Sequence, residues 1–82
     1  MANDDTINLD VTIDDIFRIA IKREAQASLF YVEAATRVQS RETREVLLRL
    51  AKEEAGHEAA LRQEWETIQC KRDVEKAMSS DM

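Results

Sequence analysis

The stretch IDDIFRIAIKREAQASLFYVEAATRVQ (residues 13–39) decides the fold of this chain. Its inward-facing positions recur every three or four residues, which is the spacing of one face of an α-helix. Those positions are Ile13, Phe17, Ala20, Glu24, Ala27, Tyr31, Ala35 and Val38. Thr12 can cap this helix, and Asp14 and Asp15 follow in the first turn, where acidic groups interact favourably with the helix dipole. We therefore predict one long amphipathic helix.

A second stripe with the same spacing follows. Its positions are Leu47, Leu50, Glu54, His57, Leu61, Trp65 (or Glu64) and Ile68. The two stripes are out of phase, because continuing the first one past Val38 reaches only charged side chains. The chain is therefore expected to turn near Ser40, which can cap a second helix with Glu42 in its first turn. The alternative is one uninterrupted helix in a coiled coil.

The composition favours a purely helical protein. The 82 residues include no Pro and one Gly, and 35% of them are charged. This is typical of long helices, and period-2 strand patterns are absent. We predict an all-α fold, a two-helix antiparallel hairpin over about residues 12–39 and 41–69. Residues 1–11 are then a flexible acidic arm, residues 12–70 the hairpin, and residues 71–82 a helical extension, a short third helix or a frayed tail.

Charge and hydropathy exclude several classes of function. The net charge of −5 and the pI of about 4.8 disfavour nucleic acid as a partner, because phosphate binding needs a basic surface. No apolar run is long enough to cross a membrane. The polar start MANDDTINLD does not resemble a secretion signal, so we expect a cytoplasmic protein. The single cysteine, Cys70, cannot form an intrachain disulfide, and we expect it to be a partly buried small hydrophobic residue.

A hairpin of this length is too small to enclose a core by itself. Each helix buries one stripe against one neighbour. Small scaffolds of this kind need oligomerisation or a bound metal to be stable. We therefore predict a homodimer that completes a four-helix bundle, and higher homo-oligomers built from it.

Three ionisable side chains interrupt the apolar stripes: Glu24, Glu54 and His57. Such groups are costly in a core unless they are paired or bind a metal. Glu54 and His57 are three residues apart, so they project from one face of the second helix. The midpoint between Glu24 and this pair falls at about residue 40, where the turn is predicted. All three side chains should therefore converge in an antiparallel hairpin.

The three side chains correspond to half of a metal site. Di-iron carboxylate bundles take one Glu from each of two helices and a Glu-x-x-His pair from each of the other two. Two copies of this chain would supply four carboxylates and two imidazoles, which suit iron, with manganese or zinc as alternatives. Taken singly, His57 is more simply explained as a hydrogen-bonded core histidine and Glu24 as a surface residue. The occurrence of Glu24, Glu54 and His57 together at one level of the hairpin favours a metal site.

Two segments resemble the ferritin-like superfamily. REAQASLFYVEAA (residues 23–35) and LAKEEAGHEAAL (residues 50–61) are similar to rubrerythrins, and most similar to the encapsulated ferritins, the half-ferritins of encapsulin nanocompartments. The likeness includes the thirty-residue spacing from Glu24 to Glu54 and a tyrosine, Tyr31, seven residues after Glu24.

This resemblance covers roughly residues 13–69 and implies a fold and an activity. The hairpin would dimerise, and dimers would assemble into a ring, often a decamer. Ferroxidase sites would lie between subunits, with Glu24, Glu54 and His57 as iron ligands and Tyr31 beside them. The family oxidises Fe(II) with dioxygen and passes Fe(III) to mineral inside an encapsulin shell. The end of this chain, KAMSSDM, differs from the hydrophobic and basic peptide with which the family docks in that shell.

Three functions are consistent with these residues. The first is a ferroxidase with a di-iron site shared by two subunits. The second is rubrerythrin-like peroxide reduction at the same site, although a single cysteine supplies no rubredoxin-type cysteine pair. The third is a non-enzymatic assembly module, in which the three residues form a structural metal site or a buried polar network.

Overall fold

Two helices make up the described part of the chain. The structure, a computed structural model, describes the backbone of residues 11–80 and the side chains of residues 11–78. Helix α1 spans Ile13–Arg37 and helix α2 spans Arg41–Ser80. They pack as an antiparallel hairpin, so the predicted two-helix fold is confirmed. The predicted acidic arm lies outside the described residues, apart from Val11. Neither described helix carries an apolar stretch long enough to cross a membrane.

Side-chain caps define the start of each helix. Thr12 Oγ1 accepts a hydrogen bond from the Asp15 backbone N–H at 3.1 Å, and the Asp15 carboxylate accepts one from the Thr12 N–H at 3.3 Å. This reciprocal capping box pairs amide groups that would otherwise be left unsatisfied at the helix start. Ser40 Oγ likewise accepts from the Thr43 N–H at 3.2 Å at the start of α2. The predicted caps at Thr12 and Ser40 are therefore confirmed.

The turn between the helices forms without Gly or Pro. Val38 follows α1 in an extended conformation, with φ −91° and ψ 148°. Its carbonyl accepts a hydrogen bond from the Arg44 guanidinium at 3.1 Å. This bond ties the first turn of α2 back to the end of α1. No residue of the described chain needs a positive φ to make the turn.

The contact between the helices is built mainly from small side chains. Among the described residues, the buried ones are Ile21, Ala35 and Ala51. Ser28 lies seven residues from both Ile21 and Ala35, and so on the same face of α1. Its Oγ donates a hydrogen bond to the Ala51 carbonyl at 3.1 Å. Small side chains let the two backbones approach closely enough for this bond, which fixes the register of the helices.

The buried line on α1 agrees with the predicted stripe at Ala35 but not at Ile21, which lies outside that stripe. The spacing pattern predicts that Phe17, Glu24 and Tyr31 face the partner helix, whereas these side chains are only half-buried. Ile13, also predicted to face inward, is 53% exposed. The true contact runs through Ile21, about 60° around α1 from Glu24. The spacing pattern does not identify this contact, because apolar side chains of α1 lie both at the contact and on an open face beside it.

A polar cluster closes the open end of the hairpin. Asp14 Oδ1 accepts hydrogen bonds from the Trp65 indole N–H at 2.8 Å and from the Arg72 guanidinium at 2.7 Å. The Trp65 ring also stacks on Phe17, with 6.2 Å between the ring centroids. The Arg18 guanidinium lies 5.8 Å from the centre of the Trp65 ring, within the range of a cation–π interaction. We call Asp14, Trp65 and Arg72 the open-end latch.

Helix α2 is longer than the pattern predicts. It has 40 residues and runs to Ser80, whereas the apolar stripe predicts an end near residue 69. The stripe stops at Ile68, close to the level where α1 begins, so it reports the length of the contact and not that of the helix. The rest of α2 contains good helix formers and no Gly or Pro. Cys70, on this part of α2, is exposed, so the prediction of a partly buried thiol is wrong.

Gly56 provides a test of helix propensity in α2. A Cβ at this position would meet nothing within 4 Å in the hairpin. We expect Gly56→Ala to raise the free energy of unfolding by about 1 kcal/mol, because Ala loses less backbone entropy than Gly in a helix. Urea denaturation followed by circular dichroism measures the change. The reverse substitution at exposed Ala60, Ala60→Gly, should lower stability by a similar amount. Destabilisation by Gly56→Ala would mean that another chain packs closely over this position.

The open-end latch makes stability depend on pH. The hydrogen bond from Trp65, followed by that from Arg72, lowers the pKa of Asp14. Its contribution to stability is therefore present above the pKa of an unfolded Asp, about 4, and is lost as the pH falls through the lower folded value. We expect Asp14→Asn to be less stable than the wild type at pH 7, with the difference closing in strong acid.

The measurement is urea denaturation of the wild type and Asp14→Asn at neutral pH and at about pH 2.5, on either side of the Asp titration. Asp73→Asn is the matched control, because it removes an exposed carboxylate next to Arg72 on α2 without removing the group that Trp65 and Arg72 bind. It should change stability little at either pH. If Asp14→Asn were as much less stable than the wild type in acid as at neutral pH, the charge of Asp14 would not be what stabilises the latch.

Candidate metal centre

The two helices bring three predicted ligands to one level of the hairpin. Glu24 lies on α1, and Glu54 and His57 lie on successive turns of α2. The Ser28–Ala51 hydrogen bond joins the helices one turn away, since Ser28 follows Glu24 by four residues and Ala51 precedes Glu54 by three. The register that this bond fixes places Glu24 opposite the Glu54–His57 turn.

The three side chains are close enough to bind one ion. His57 Nδ1 lies 3.6 Å from Glu24 Oε2 and 3.9 Å from Glu54 Oε1. One ligand atom from each residue falls within 4.8 Å of the others. Among the described residues, no other group of three or more His, Cys, Asp or Glu side chains comes this close. We call Glu24, Glu54 and His57 the carboxylate–histidine cluster.

The two carboxylates of the cluster are in an unfavourable environment. Glu24 Oε2 is buried and accepts no hydrogen bond. The Glu24 carboxyl, which can share a hydrogen-bonding proton with Glu54, raises the pKa of Glu54, and burial and the negative charge of Glu24 act in the same direction. An orphaned buried oxygen and a crowded pair of acids both cost free energy. A cation bound between them would remove both costs.

The donor set fits a divalent metal ion. Two carboxylates and one imidazole are ligands that iron, manganese and zinc accept. The side chains of Glu24 and Glu54 are 26% and 25% exposed, whereas that of His57 is 63% exposed. The cluster is therefore closed on the side of the helix contact and open on the side of His57. Three ligands also leave coordination positions for further groups on the open side.

Tyr31, predicted to lie beside the site, is two turns away along α1. It is half-buried, and its ring packs edge-on against Phe30 with 5.5 Å between the ring centroids. Its role in the site stays a prediction. Ser28, in contrast, was not recognised from the sequence, although its hydrogen bond holds the two sides of the cluster together. Its position one turn after Glu24 is the one signal that could have drawn attention to it.

The raised pKa of Glu54 predicts how the metal-free protein responds to pH. A carboxyl with a raised folded pKa stabilises the fold less as the pH rises above its unfolded value, about 4.3. We therefore expect metal-free Glu54→Gln to be more stable than the wild type at pH 7, and equal to it below about pH 4. Saturating Zn²⁺ should reverse the order at pH 7, because only the wild type retains all three ligands.

Thermal denaturation with a chelator and with Zn²⁺ at two pH values measures both effects. Glu66→Gln is the control, since it makes the same change at an exposed position of α2 outside the cluster. If Glu54→Gln were the less stable protein in chelator at pH 7, the Glu54 carboxylate would be making net favourable contacts in the metal-free fold.

Comparison with known proteins agrees with this geometry. The rubrerythrin family model matches residues 6–80, which include the whole carboxylate–histidine cluster. Domains of this family, part of the ferritin-like superfamily, bind iron, and many are oxidoreductases with di-iron sites. No curated protein and no solved structure matches the chain significantly. Because the family match spans nearly the whole sequence, the chain belongs to the rubrerythrin family.

Proposed function

We propose that this protein is a ferroxidase, which oxidises Fe(II) to Fe(III) with dioxygen at a di-iron site shared by two copies of the chain. The observation that carries the proposal is the buried Glu24 Oε2, which accepts no hydrogen bond and faces His57 Nδ1 at 3.6 Å. A carboxylate oxygen in this position is costly unless a cation binds it. In a chain of an iron-binding family, Fe(II) is the cation that this arrangement supports best.

The openness of the cluster supports a site between two subunits. One hairpin supplies three ligands, which is half of the donor set of a di-iron bundle. Ile13, three turns before Glu24 on the same face of α1, is largely exposed. Leu50 and Leu61, one turn to either side of the Glu54–His57 pair, are only half-buried. A second hairpin on this face would cover these apolar side chains and complete the ligand set, so the homodimer is part of the proposal.

Each residue of the cluster has a task in this function. Glu24 and Glu54 hold Fe(II) and balance its charge, and neutral His57 adds a nitrogen ligand. Binding displaces any proton held on Glu54, so the affinity for Fe(II) should rise with pH. Two bound Fe(II) ions each give one electron to dioxygen, which takes up two protons and leaves as hydrogen peroxide. The protein contributes the ligand positions, the charge balance and an open side for the oxidant.

Peroxide reduction is the second candidate, and membership of the rubrerythrin family favours it. The ligands would be the same, but hydrogen peroxide would take the two electrons and, with two protons, leave as two water molecules. The rates with dioxygen and with peroxide, measured on the same Fe(II)-loaded protein, separate the two enzymes. Tight zinc binding without oxidation of Fe(II) would instead favour a structural metal site in an assembly module.

The fate of the product is a further part of the proposal. The resemblance to encapsulated ferritins supports storage or detoxification of Fe(III) inside an encapsulin shell. Such a container would be needed because a pair of hairpins has no enclosed space for mineral. Co-expression with an encapsulin shell protein, followed by purification of the shell, tests this partner.

Fe(II) oxidation in air tests the proposed function directly. With two Fe(II) ions added per dimer, we expect the wild type to produce Fe(III) absorbance much faster than a protein-free solution. His57→Ala and Glu24→Ala should fall to the protein-free rate, because each removes a ligand from both halves of the site. Stopped-flow absorbance measures the rates.

Glu66→Gln serves again as the control, and its rate should equal that of the wild type. Circular dichroism of each variant shows whether the helices are intact. Equal oxidation rates for the wild type, His57→Ala and the protein-free solution would contradict the ferroxidase assignment. If His57→Ala oxidised Fe(II) quickly and Glu24→Ala did not, His57 would not be a ligand, and the carboxylates would be the groups that bind the iron.

A further inference from the structure

The Ser28 hydroxyl makes its hydrogen bond across the hairpin and not within its own helix. A serine inside a helix commonly donates to the backbone carbonyl four residues before it, which for Ser28 is that of Glu24. Ser28 Oγ instead donates to the Ala51 carbonyl of α2 at 3.1 Å. Thr36 and Thr67, in contrast, donate to carbonyls of their own helices. The Ser28 side chain therefore connects the two helices in place of making a local hydrogen bond.

This bond lies close to the carboxylate–histidine cluster. Ser28 is four residues after Glu24, so the bond is about 6 Å from the cluster along the helix axis. The open-end latch, which also joins the helices, is ten residues from Glu24, at Asp14, or about 15 Å away. Both contacts join residues whose numbers add up to 79, Ser28 with Ala51 and Asp14 with Trp65, so they hold the same register. Of the two contacts, the one at Ser28 is placed to fix Glu24 relative to α2.

The geometry of the bond makes it sensitive to the relative position of the helices. A strong hydrogen bond keeps its donor and acceptor within roughly 3.2 Å, so a shift of about 2 Å along the axis would weaken this one greatly. The apolar contact through the buried Ile21, Ala35 and Ala51 is less demanding, because hydrophobic burial has no preferred direction. The apolar side chains therefore hold the helices together, and Ser28 selects one register.

The two carboxylates of the cluster work against that register. Glu24 and Glu54 are crowded together, and Glu24 Oε2 is buried without a hydrogen-bond donor. Like charges this close repel each other, so in the metal-free hairpin they favour a local separation of the helices. The Ser28–Ala51 bond opposes this separation from one turn away. It thereby keeps the ligand atoms within 4.8 Å of one another before any ion binds.

We propose that Ser28 is a positioning residue of the metal centre, which holds Glu24 where it can bind one ion together with Glu54 and His57. Ser28 does not contact the ion and acts through Glu24, one turn before it on the same helix. A ligand set that is already in place binds more tightly, because less conformational freedom is lost on binding. The proposal rests on the proposed function only in that the cluster binds a divalent cation, and not on the oxidation of iron.

Removal of the hydroxyl should lower the affinity for metal without lowering stability. We expect Ser28→Ala to bind Zn²⁺ about tenfold more weakly than the wild type, as is typical when a supporting contact around a metal site is lost. The stability of the metal-free protein should change little, because Ala favours a helix more than Ser does. The Ala51 carbonyl also keeps the hydrogen bond from its own helix. A residue with only a structural role would instead change the metal-free stability.

Two measurements on the full-length chain test this role. Titration of Zn²⁺ against a coloured chelator gives the affinity, and thermal denaturation in excess chelator gives the metal-free stability. Ser28→Thr keeps the hydroxyl and should keep most of the affinity. Thr67→Ala is the matched control, because it removes an exposed hydroxyl that is bonded within its own helix, and it should change neither quantity. His57→Ala, which lacks a ligand, gives the affinity of an incomplete site.

The results separate the role of Ser28 from the metal site itself. Wild-type affinity in Ser28→Ala, together with weak binding by His57→Ala, would overturn the positioning role and leave the metal site. A large loss of metal-free stability in Ser28→Ala would make Ser28 a general stabiliser of the hairpin and would also overturn the proposal. Wild-type affinity in both variants would overturn the metal site. Because no iron is oxidised in these measurements, a negative ferroxidase assay would not change their result.

Discussion

The register between α1 and α2 is the constraint on which the rest of the structure depends. The Ser28–Ala51 hydrogen bond sets it beside the cluster, and the open-end latch of Asp14, Trp65 and Arg72 sets it at the other end. A slip of one turn is about 5 Å. It would move Glu24 away from Glu54 and His57 and separate the ligands. A hairpin with so few buried side chains therefore relies on polar contacts between the helices for its alignment.

That register has an energetic cost, and this cost is what supports the proposal of a metal site. It brings two carboxylates together, raises the pKa of Glu54 and leaves Glu24 Oε2 buried without a hydrogen-bond donor. A chain under selection for stability alone would replace one acid by an amide or an apolar residue. The unfavourable contacts become favourable ones when a cation lies between the acids. Binding and folding are then linked, since the ion stabilises the register that creates its site.

The hairpin leaves apolar side chains on both of its broad faces. On one face Ile13 and the half-buried Leu50 and Leu61 surround the carboxylate–histidine cluster, and elsewhere Leu29, Val32 and Leu48 are exposed. Two helices bury only the narrow line along which they touch, where Ile21, Ala35 and Ala51 lie. The remaining apolar surface has no counterpart within the described chain. The proposed metal site and the proposed homodimer are therefore coupled, because both use a surface that a single hairpin cannot cover.

The sequence by itself determined the features that depend on spacing and on local hydrogen bonds. Helical periodicity indicated two helices, Thr12 and Ser40 marked where they begin, and the position of the turn put Glu24 level with Glu54 and His57. Only the tertiary structure shows that Ile21 and Ala51 are buried, because their burial depends on how closely the two backbones approach. Ser28 has no local signature, since its partner is a backbone carbonyl twenty-three residues away. The sequence left the length of α2 open, because an apolar stripe ends where its partner helix ends, while the helix continues for as long as its own residues favour it.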